Sequence, residues 1–472
     1  MISDPTLSGR IVDWVGSRRS GDIPPDVTAA VGTAILHHAL CGIRGQALET
    51  AVSLRRALWD PAGAQVVAVT PEAAAYSGGA FGHLTLQEDM HVPSQCHLGT
   101  VVVPTALALA SEHGVGGAEL VTAIACGYEV AGKVGTVLAQ AGLATRARPT
   151  GTNGPLGSWA VASRLRRSDA NTAARALGLA VNAASGLNTW AWQGGEDVFI
   201  HAGQAARAGI EATRLAGAGV GGSLDGIGGK AGFLMAFGDA GAPGRLAAES
   251  WPGRDDRWVL QQIVFKRHPA CNYVQTVLDV ATEVGTAIGP LGAEPPKSID
   301  VWVSTAAALY PGCDAPGPWP ARLAAQMSIQ FAVAVALSGD DYAQVITADP
   351  SMWSELYSGL AARVRVQTDE AIDARYPEQQ GARLQVVLAD GREIVASHDD
   401  LCGLSPAEIR ADLRAFGDLL NRPDLVELLV TMSDDLLNCA STAPLTAAVD
   451  ELWHLAAASS SGTGALAAKA LA

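Results

Sequence analysis

Apolar residues between about 25 and 262 recur at helical spacing. In Val101–His113, Ala118–Val134, Asn171–Ser185 and Ala202–Ala216 they occupy more than one face. A helix that is apolar most of the way round belongs inside a bundle, so the pattern predicts a body of helices buried against one another. Alanine and glycine crowd the same region, and small side chains let helix axes approach closely. Gly114-Val115-Gly116-Gly117 and Gly221-Gly222 mark turns between these helices.

The period changes near 263. Ile299-Asp300-Val301-Trp302-Val303 and Val364-Arg365-Val366 alternate, which predicts strands with one buried face. Leu384 to Leu388 and Glu393 to Ala396 flank Asp390-Gly391, a hairpin signal. Helical patterns at about 271–287 and 322–337 lie between the strands, so 263–404 reads as an α+β module. Ser405-Pro406-Ala407-Glu408 then carries the serine cap, first-turn proline and reciprocal glutamate of a helix start. Helical patterning follows, and the Ser/Gly/Ala-rich stretch from Ser459 to Ala472 is predicted to fray. The predicted fold class is mainly α: a large all-helical domain built from 1–262 and 405–472, with a smaller inserted α/β lid at 263–404. Proteolysis is expected first at the junctions near 263 and 404.

Composition narrows the function. The chain has 472 residues, 49% apolar and 17% charged, which suits a large buried interior and two domains rather than disorder. A net charge of −15 argues against a nucleic-acid partner, which needs a basic face, yet permits a small anionic ligand held by a few local cations. Cysteines at 41, 96, 126, 271, 313, 402 and 439 are odd in number and lack zinc-type spacing, as expected for reduced cytoplasmic thiols. The start, Met1-Ile2-Ser3-Asp4-Pro5, has no secretory pattern, and apolar runs such as Thr100 to Ala110 are short for a bilayer. These features predict a soluble, cytoplasmic protein with no membrane partner. No glycine-rich phosphate loop follows a strand, so nucleotide binding has little support.

Six strings occur in order along the chain. They are His97-Leu98-Gly99-Thr100-Val101-Val102-Val103-Pro104 with Ala106 to Ala110; Gly127-Tyr128-Glu129-Val130; Pro149-Thr150-Gly151-Thr152 with Gly154 to Gly157; His201 to Gly209; Phe265-Lys266-Arg267-His268-Pro269; and Met327-Ser328-Ile329-Gln330-Phe331. Together they resemble the MmgE/PrpD superfamily of 2-methylcitrate dehydratase, cis-aconitate decarboxylase and iminodisuccinate epimerase. The resemblance covers about 25 to 450 and implies a helical body from both chain ends with a lid closing over a cleft. It also implies homodimers, no metal and no organic cofactor. The implied chemistry moves a proton at a carbon beside a carboxylate.

The family's catalytic pattern is altered here. Its D-x-D-D-T stretch stands as Gln87-Glu88-Asp89-Met90-His91, which keeps only Asp89. The histidine of H-P-G is His97, followed by Leu98 instead of proline. Arg148 takes the place of the H-P-T-G histidine, Val198 of a lysine, Cys271 of a lid histidine and Phe331 of the S-x-Q-Y tyrosine. Cys271 and Gln275 instead match a P-x-C-x-x-x-Q pattern, which points to a divergent branch.

Residue chemistry supplies candidates beside the resemblance. His97 suits acid/base work because imidazole titrates near neutrality, or else it caps the helix that starts near Thr100. His91 lies in a proline-containing segment expected to be irregular. It would either pair with Asp89 as a carboxylate–histidine couple or stay solvated. Arg148 suits a forked grip on a carboxylate, and Lys266 at the body–lid junction is a second cation for an anionic ligand. Cys271 reads as a further acid/base group or as an inert buried thiol. Gln87, Thr152, Gln275 and Phe331 complete the predicted substrate lining. With Val198 and Phe331 removing two polar handles, the pocket should be more apolar than the dehydratase's, and its substrate less charged or bulkier. Asp89, His91 and His97 are metal-ligand types, but no spacing enforces a site.

Three classes of function follow. The first is a cofactor-independent lyase or dehydratase acting on a small carboxylated substrate, with His97 as base or acid. The second is an isomerase or epimerase, with Cys271 and a histidine on opposite faces of the carbon. The third is a non-catalytic ligand-binding relative, which a collapsed cleft would favour.

Overall fold

The computed structural model describes residues 6–58, 70–253, 255–291, 294–348 and 350–460. From 461 onward the tail predicted to fray lies outside the described residues. Helices Pro25–Gly45, Pro71–Gly82, Gly99–His113, Gly117–Gln140, Pro149–Leu165 and Asp197–Gly217 pack together as the body. Several begin on proline, where the missing N–H would have no helical partner anyway. Small residues set the spacing. A Cβ on Gly209 would lie 2.1 Å from the Trp159 backbone nitrogen, so only glycine lets these two helices touch backbone to backbone.

Both chain ends build this body. Helices Pro406–Leu419, Pro423–Asp434 and Ala443–Ser460 all pack on Pro25–Gly45. Trp453 anchors the last of them, donating its indole N–H to the Ala39 carbonyl at 3.0 Å. The Ser405 cap is reciprocal as predicted: Glu408 N donates to Ser405 Oγ, and Ser405 N donates to Glu408 Oε2. Pro25–Gly45 and Gly117–Gln140 are long and apolar enough to cross a bilayer. Their most apolar windows are 78% and 89% buried in protein, as central helices of a bundle are.

Strand β1 (Asp89–His91) belongs to the body and pairs antiparallel with β2 (Ile263–Phe265). The lid sheet contains β3 (Ser298–Val303), β4 (Val364–Thr368), β5 (Ala382–Val387) and β6 (Glu393–His398), in the order β4-β3-β5-β6. β3 runs parallel to β4 and antiparallel to β5, so Val301 faces Val366 on one side and Leu384 on the other. Ala382, Leu384 and Val386 are buried on alternate positions of β5, beneath helix Gln275–Ile288. The β5–β6 turn places Gly391 at φ +90°.

The sequence expectation differs from this in four places. The segment 322–337 is two helices, Arg322–Met327 and Ile329–Leu337, because Ser328 ends one and caps the next, accepting from Phe331 N at 2.9 Å. The helix predicted from 271 starts at Gln275, after a 3-10 turn at Asn272–Val274. The helix expected over Asn171–Ser185 ends at Ala180. The segment around His91, expected to be irregular, contains β1. The predicted junction at 263 therefore falls inside a strand bonded to the body, and Leu404 N donates to Phe265 O at 2.7 Å. The two junctions are thus hydrogen-bonded to each other.

Candidate functional site

A cavity of about 20 Å³ lies between body and lid, room for roughly one water. Leu86, Met90, Gln95, His97, Arg148 and Trp190 come from the body; Lys266, Cys271, Asn272, Tyr273, Tyr310 and Met327 form the opposite wall. The walls are latched together. Gln95 donates to the Tyr273 and Tyr376 hydroxyls at 2.9 and 3.2 Å, Gln87 to the Arg267 carbonyl at 3.0 Å, and Gln326 to the Thr85 carbonyl at 3.2 Å. A larger surface groove of about 680 Å³ runs along Val12–Ser20 and Ser163–Ala173. It shares no residue with the cavity, and its Arg167 already pairs with Glu119 at 2.6 Å.

Glu88 organises the smaller site, although it does not line it. Its Oε1 accepts from Lys266 Nζ at 2.7 Å and lies 3.0 Å from His97 Nδ1, while its Oε2 lies 3.2 Å from His83 Nδ1. All four side chains are buried. Burial is the largest influence on the Glu88 carboxyl and pushes it up. Lys266 and the two imidazoles outweigh burial and hold it well below the usual carboxylate range. The 3.2 Å contact to His83 does not meet hydrogen-bond geometry, and burial lowers that imidazole, so it stands beside Glu88 as a neutral ring.

The tautomer of His97 follows from its neighbours. Nδ1 lies 2.9 Å from the Asp89 carbonyl oxygen and 3.0 Å from Glu88 Oε1. Neither oxygen can donate, so Nδ1 carries the proton. The lone pair is then on Nε2, which has no protein partner among the described residues. Burial lowers His97 well below its usual value, against the pull of Glu88, so the ring is neutral. The backbone is fixed as well: His97 N donates to Thr150 Oγ1 at 3.1 Å.

Arg148 stands at the N-cap of helix Pro149–Leu165, beside that threonine. Nη1 donates to Tyr310 Oη at 3.2 Å, Nη2 to His83 Nε2 at 3.3 Å, and the guanidinium lies 5.2 Å from the Trp190 ring. Its Nε is buried with no partner. On the lid, Cys271 N donates to Gln326 O at 2.9 Å, and the Cys271 and Cys313 sulfurs are 3.9 Å apart. That contact draws the Cys271 thiol down despite burial, while burial pushes Cys313 up.

The structure thus gathers His97, Arg148, Lys266 and Cys271 of the predicted residues, and sets the others apart. Asp89 accepts from Gly99 N at 2.8 Å and Tyr128 Oη at 2.6 Å, and burial raises its carboxyl to about 6. It does not pair with His91, whose Nδ1 meets Ser94 Oγ at 2.8 Å outside the cavity. Both alternatives offered for Asp89 and His91 are therefore corrected: they do not couple, because each has its own partner, and neither is solvated, because both are buried. Thr152 bonds back to the Arg148 carbonyl, and Gln275 braces the His268–Ala270 turn ahead of Cys271. Gln87 donates to Arg267 O, and Phe331 sits in the lid's aromatic core with Trp319, Tyr342, Trp353 and Tyr357. None of these four lines the cavity. Sequence reasoning missed Glu88, His83, Trp190, Tyr273 and Tyr310. Glu88 had one signal: a second carboxylate in a polar run between apolar, glycine-rich segments.

The MmgE/PrpD N-terminal domain matches residues 9–244, and the MmgE/PrpD C-terminal domain matches residues 268–406. The chain belongs to the MmgE/PrpD family. One relative is a cis-aconitate decarboxylase-like protein, oryM, of Aspergillus oryzae, 26% identical over 234 residues. That match covers 46% of this chain and 48% of the relative. Another is the cis-aconitate decarboxylase of Aspergillus terreus, 24% identical over 480 aligned residues, covering 93% of this chain and 97% of that one. The MmgE/PrpD chain thus spans about half of the first relative and nearly all of the second. At the His97–Glu88–Lys266 cluster, this MmgE/PrpD member places a neutral imidazole and an ion pair against the seam between its two matched domains.

Proposed function

We propose that this MmgE/PrpD protein is a cofactor-independent lyase of the dehydratase or decarboxylase type, acting in the cytoplasm on a small carboxylated substrate. The observation that carries the reading is His97. Its proton sits on Nδ1 between two acceptors, so Nε2 offers a lone pair beside the Arg148 guanidinium. Arg148 would hold the substrate carboxylate, and Nε2 would take the proton from the adjacent carbon. Charge developing on that carboxylate is stabilised by the same guanidinium, a fixed donor in a site shielded from water. Departure of a neighbouring hydroxyl as water, with the proton held on Nε2 handed to it, completes an elimination and returns His97 to its neutral form. A base that starts neutral favours proton removal as the first step over loss of carbon dioxide. The relatives' names, which mention cis-aconitate decarboxylase, support the lyase class.

The narrow cavity is what a non-catalytic relative would share. A buried guanidinium whose Nε has no partner costs stability, however, and a carboxylate ligand would offset that cost. An epimerase remains a second reading, since Cys271 lies on the lid wall across from the body's His97.

Replacement of His97 by glutamine tests the base. Turnover of a hydroxy-acid substrate should fall by about 10²–10⁴-fold with the fold retained. Near-wild-type turnover would remove His97 from the mechanism. Solvent deuterium appearing in recovered substrate without any unsaturated product would favour the epimerase.

A further inference from the structure

Two cations reach the cavity wall, Arg148 and Lys266, and no aspartate or glutamate lines it. The two are not equivalent. Lys266 Nζ is 2.7 Å from Glu88 Oε1, and both side chains are almost fully buried, so this pair presents no net charge to a ligand. The remaining neighbours of Glu88 are imidazoles, and burial keeps both neutral. Arg148 contacts only an imidazole nitrogen, a phenol and an indole face, and among the described residues no carboxylate pairs with it. The walls therefore carry one uncompensated positive charge. Leu86, Met90, Trp190, Tyr273 and Met327 supply half of the other ten lining side chains, and the rest are uncharged.

We infer that the substrate is a monocarboxylate with an uncharged, apolar or aromatic remainder, and that Glu88 determines this by cancelling the charge of Lys266. The inference rests on the proposed lyase site. One carboxylate on Arg148 neutralises the cavity. A second or third would be a desolvated charge without a counter-ion, since Lys266 is already engaged. Cis-aconitate, the acid in the relatives' names, has three carboxylates and does not fit this charge count. The apolar walls instead match a hydrocarbon or aryl group once the lid and body part to admit it.

Two unreactive probes measured by calorimetry separate the alternatives: phenylpropanoate, with one carboxylate and an aryl group, and tricarballylate, with three carboxylates. The wild-type protein should bind phenylpropanoate at least about tenfold more tightly than tricarballylate. Glu88→Gln frees the lysine charge and should shift that ratio toward tricarballylate by at least about tenfold. Arg148→Met should abolish phenylpropanoate binding. Equal or tighter wild-type binding of tricarballylate, a ratio unmoved by Glu88→Gln, or binding of neither probe would overturn the proposal. The wild-type ratio needs no variant, so an unfolded Glu88→Gln protein leaves the test standing. Binding of inert probes is also independent of turnover. A His97→Gln result against the lyase reading and a probe ratio against the monocarboxylate are therefore separate failures.

Discussion

His97 differs from the other buried histidines near the site in what its ring nitrogens meet. His83 accepts from Arg148 at Nε2 and turns Nδ1 to Glu88 at 3.2 Å without a hydrogen bond, and His91 gives Nδ1 to Ser94 while Nε2 is enclosed without a partner. Only His97 combines a fixed proton with a place on the cavity wall. Its lowered pKa has a kinetic consequence, because the active base is the unprotonated ring and burial favours that form. The acid limb of kcat/KM should fall below pH 6.5, histidine's usual value. An inflection at or above 6.5 would mean that burial does not depress this ring. His97, Arg148, Lys266 and Cys271 were legible as residue types suited to acid/base work and anion binding. Glu88 was not, because its role depends on Lys266, 178 positions away, and no periodicity encodes such a pairing. The Asp89–His91 couple failed for the complementary reason. Two residues apart in a segment read as irregular, they offered a pair by residue type alone, but Gly99 N, Tyr128 and Ser94 satisfy the two side chains separately.

Among elements, the start of helix Gly99–His113 matters most to the site. Asp89 accepts the Gly99 N–H there, and its backbone carbonyl fixes the proton of His97. A Cβ on Gly99 would lie 2.8 Å from both Asp89 Oδ2 and Tyr128 Oη. Alanine in a helix ordinarily gains about 1 kcal/mol over glycine, but here it must displace a buried carboxylate. Gly99→Ala should therefore lower turnover by roughly tenfold to a hundredfold without raising Tm; unchanged turnover would show that this seat does not orient His97. Helix Gly117–Gln140 makes a second prediction. Burial raises Glu129 from 4.5 to about 7, despite a hydrogen bond from Val259 N and the nearby Lys133. The folded state holds that proton more tightly than the unfolded chain. The resulting stability is complete below pH 4.5 and is lost as the pH rises through 7, on the order of 3 kcal/mol in all. Glu129→Gln keeps an acceptor for Val259 N and has no charge to bury. Its Tm should exceed wild type at pH 8 and match it more closely at pH 5; the same difference at both would exclude Glu129 as the cause. Helix and strand identities were readable because periodicity reports burial directly. The split at Ser328 and strand β1 were not, since a three-residue strand has no period and a serine reads equally as helix or cap.

At the scale of the molecule, the seam between body and lid decides access. With about 20 Å³ of free space, ligand entry requires Gln95 to release Tyr273 and Tyr376. The tied junctions at Phe265 and Leu404 confine that movement to the cavity side of the lid. Among the described residues the three most exposed large apolar side chains are Leu187 at 68%, Trp192 at 63% and Leu309 at 74%. They come from segments that converge on Arg148. Leu187 follows Gly186, whose carbonyl accepts from Arg148 N; Trp192 lies two residues past Trp190, which stacks on the guanidinium; Leu309 precedes Tyr310, which accepts from Nη1. Exposed apolar side chains on segments that share one buried anchor make this surface the place to test for subunit contact. A second copy of this chain is the expected partner, since closed two-fold pairing is the commonest way for an identical subunit to bury such a surface. Light scattering at micromolar concentration should therefore give a dimer mass. Trp192→Glu, which puts a charge in the middle of that surface, should shift the population toward monomer while leaving the thermal transition of each subunit nearly in place. A wild-type monomer, or a dimer indifferent to Trp192→Glu, would place subunit contact elsewhere and leave these side chains as an apolar rim around the substrate entrance.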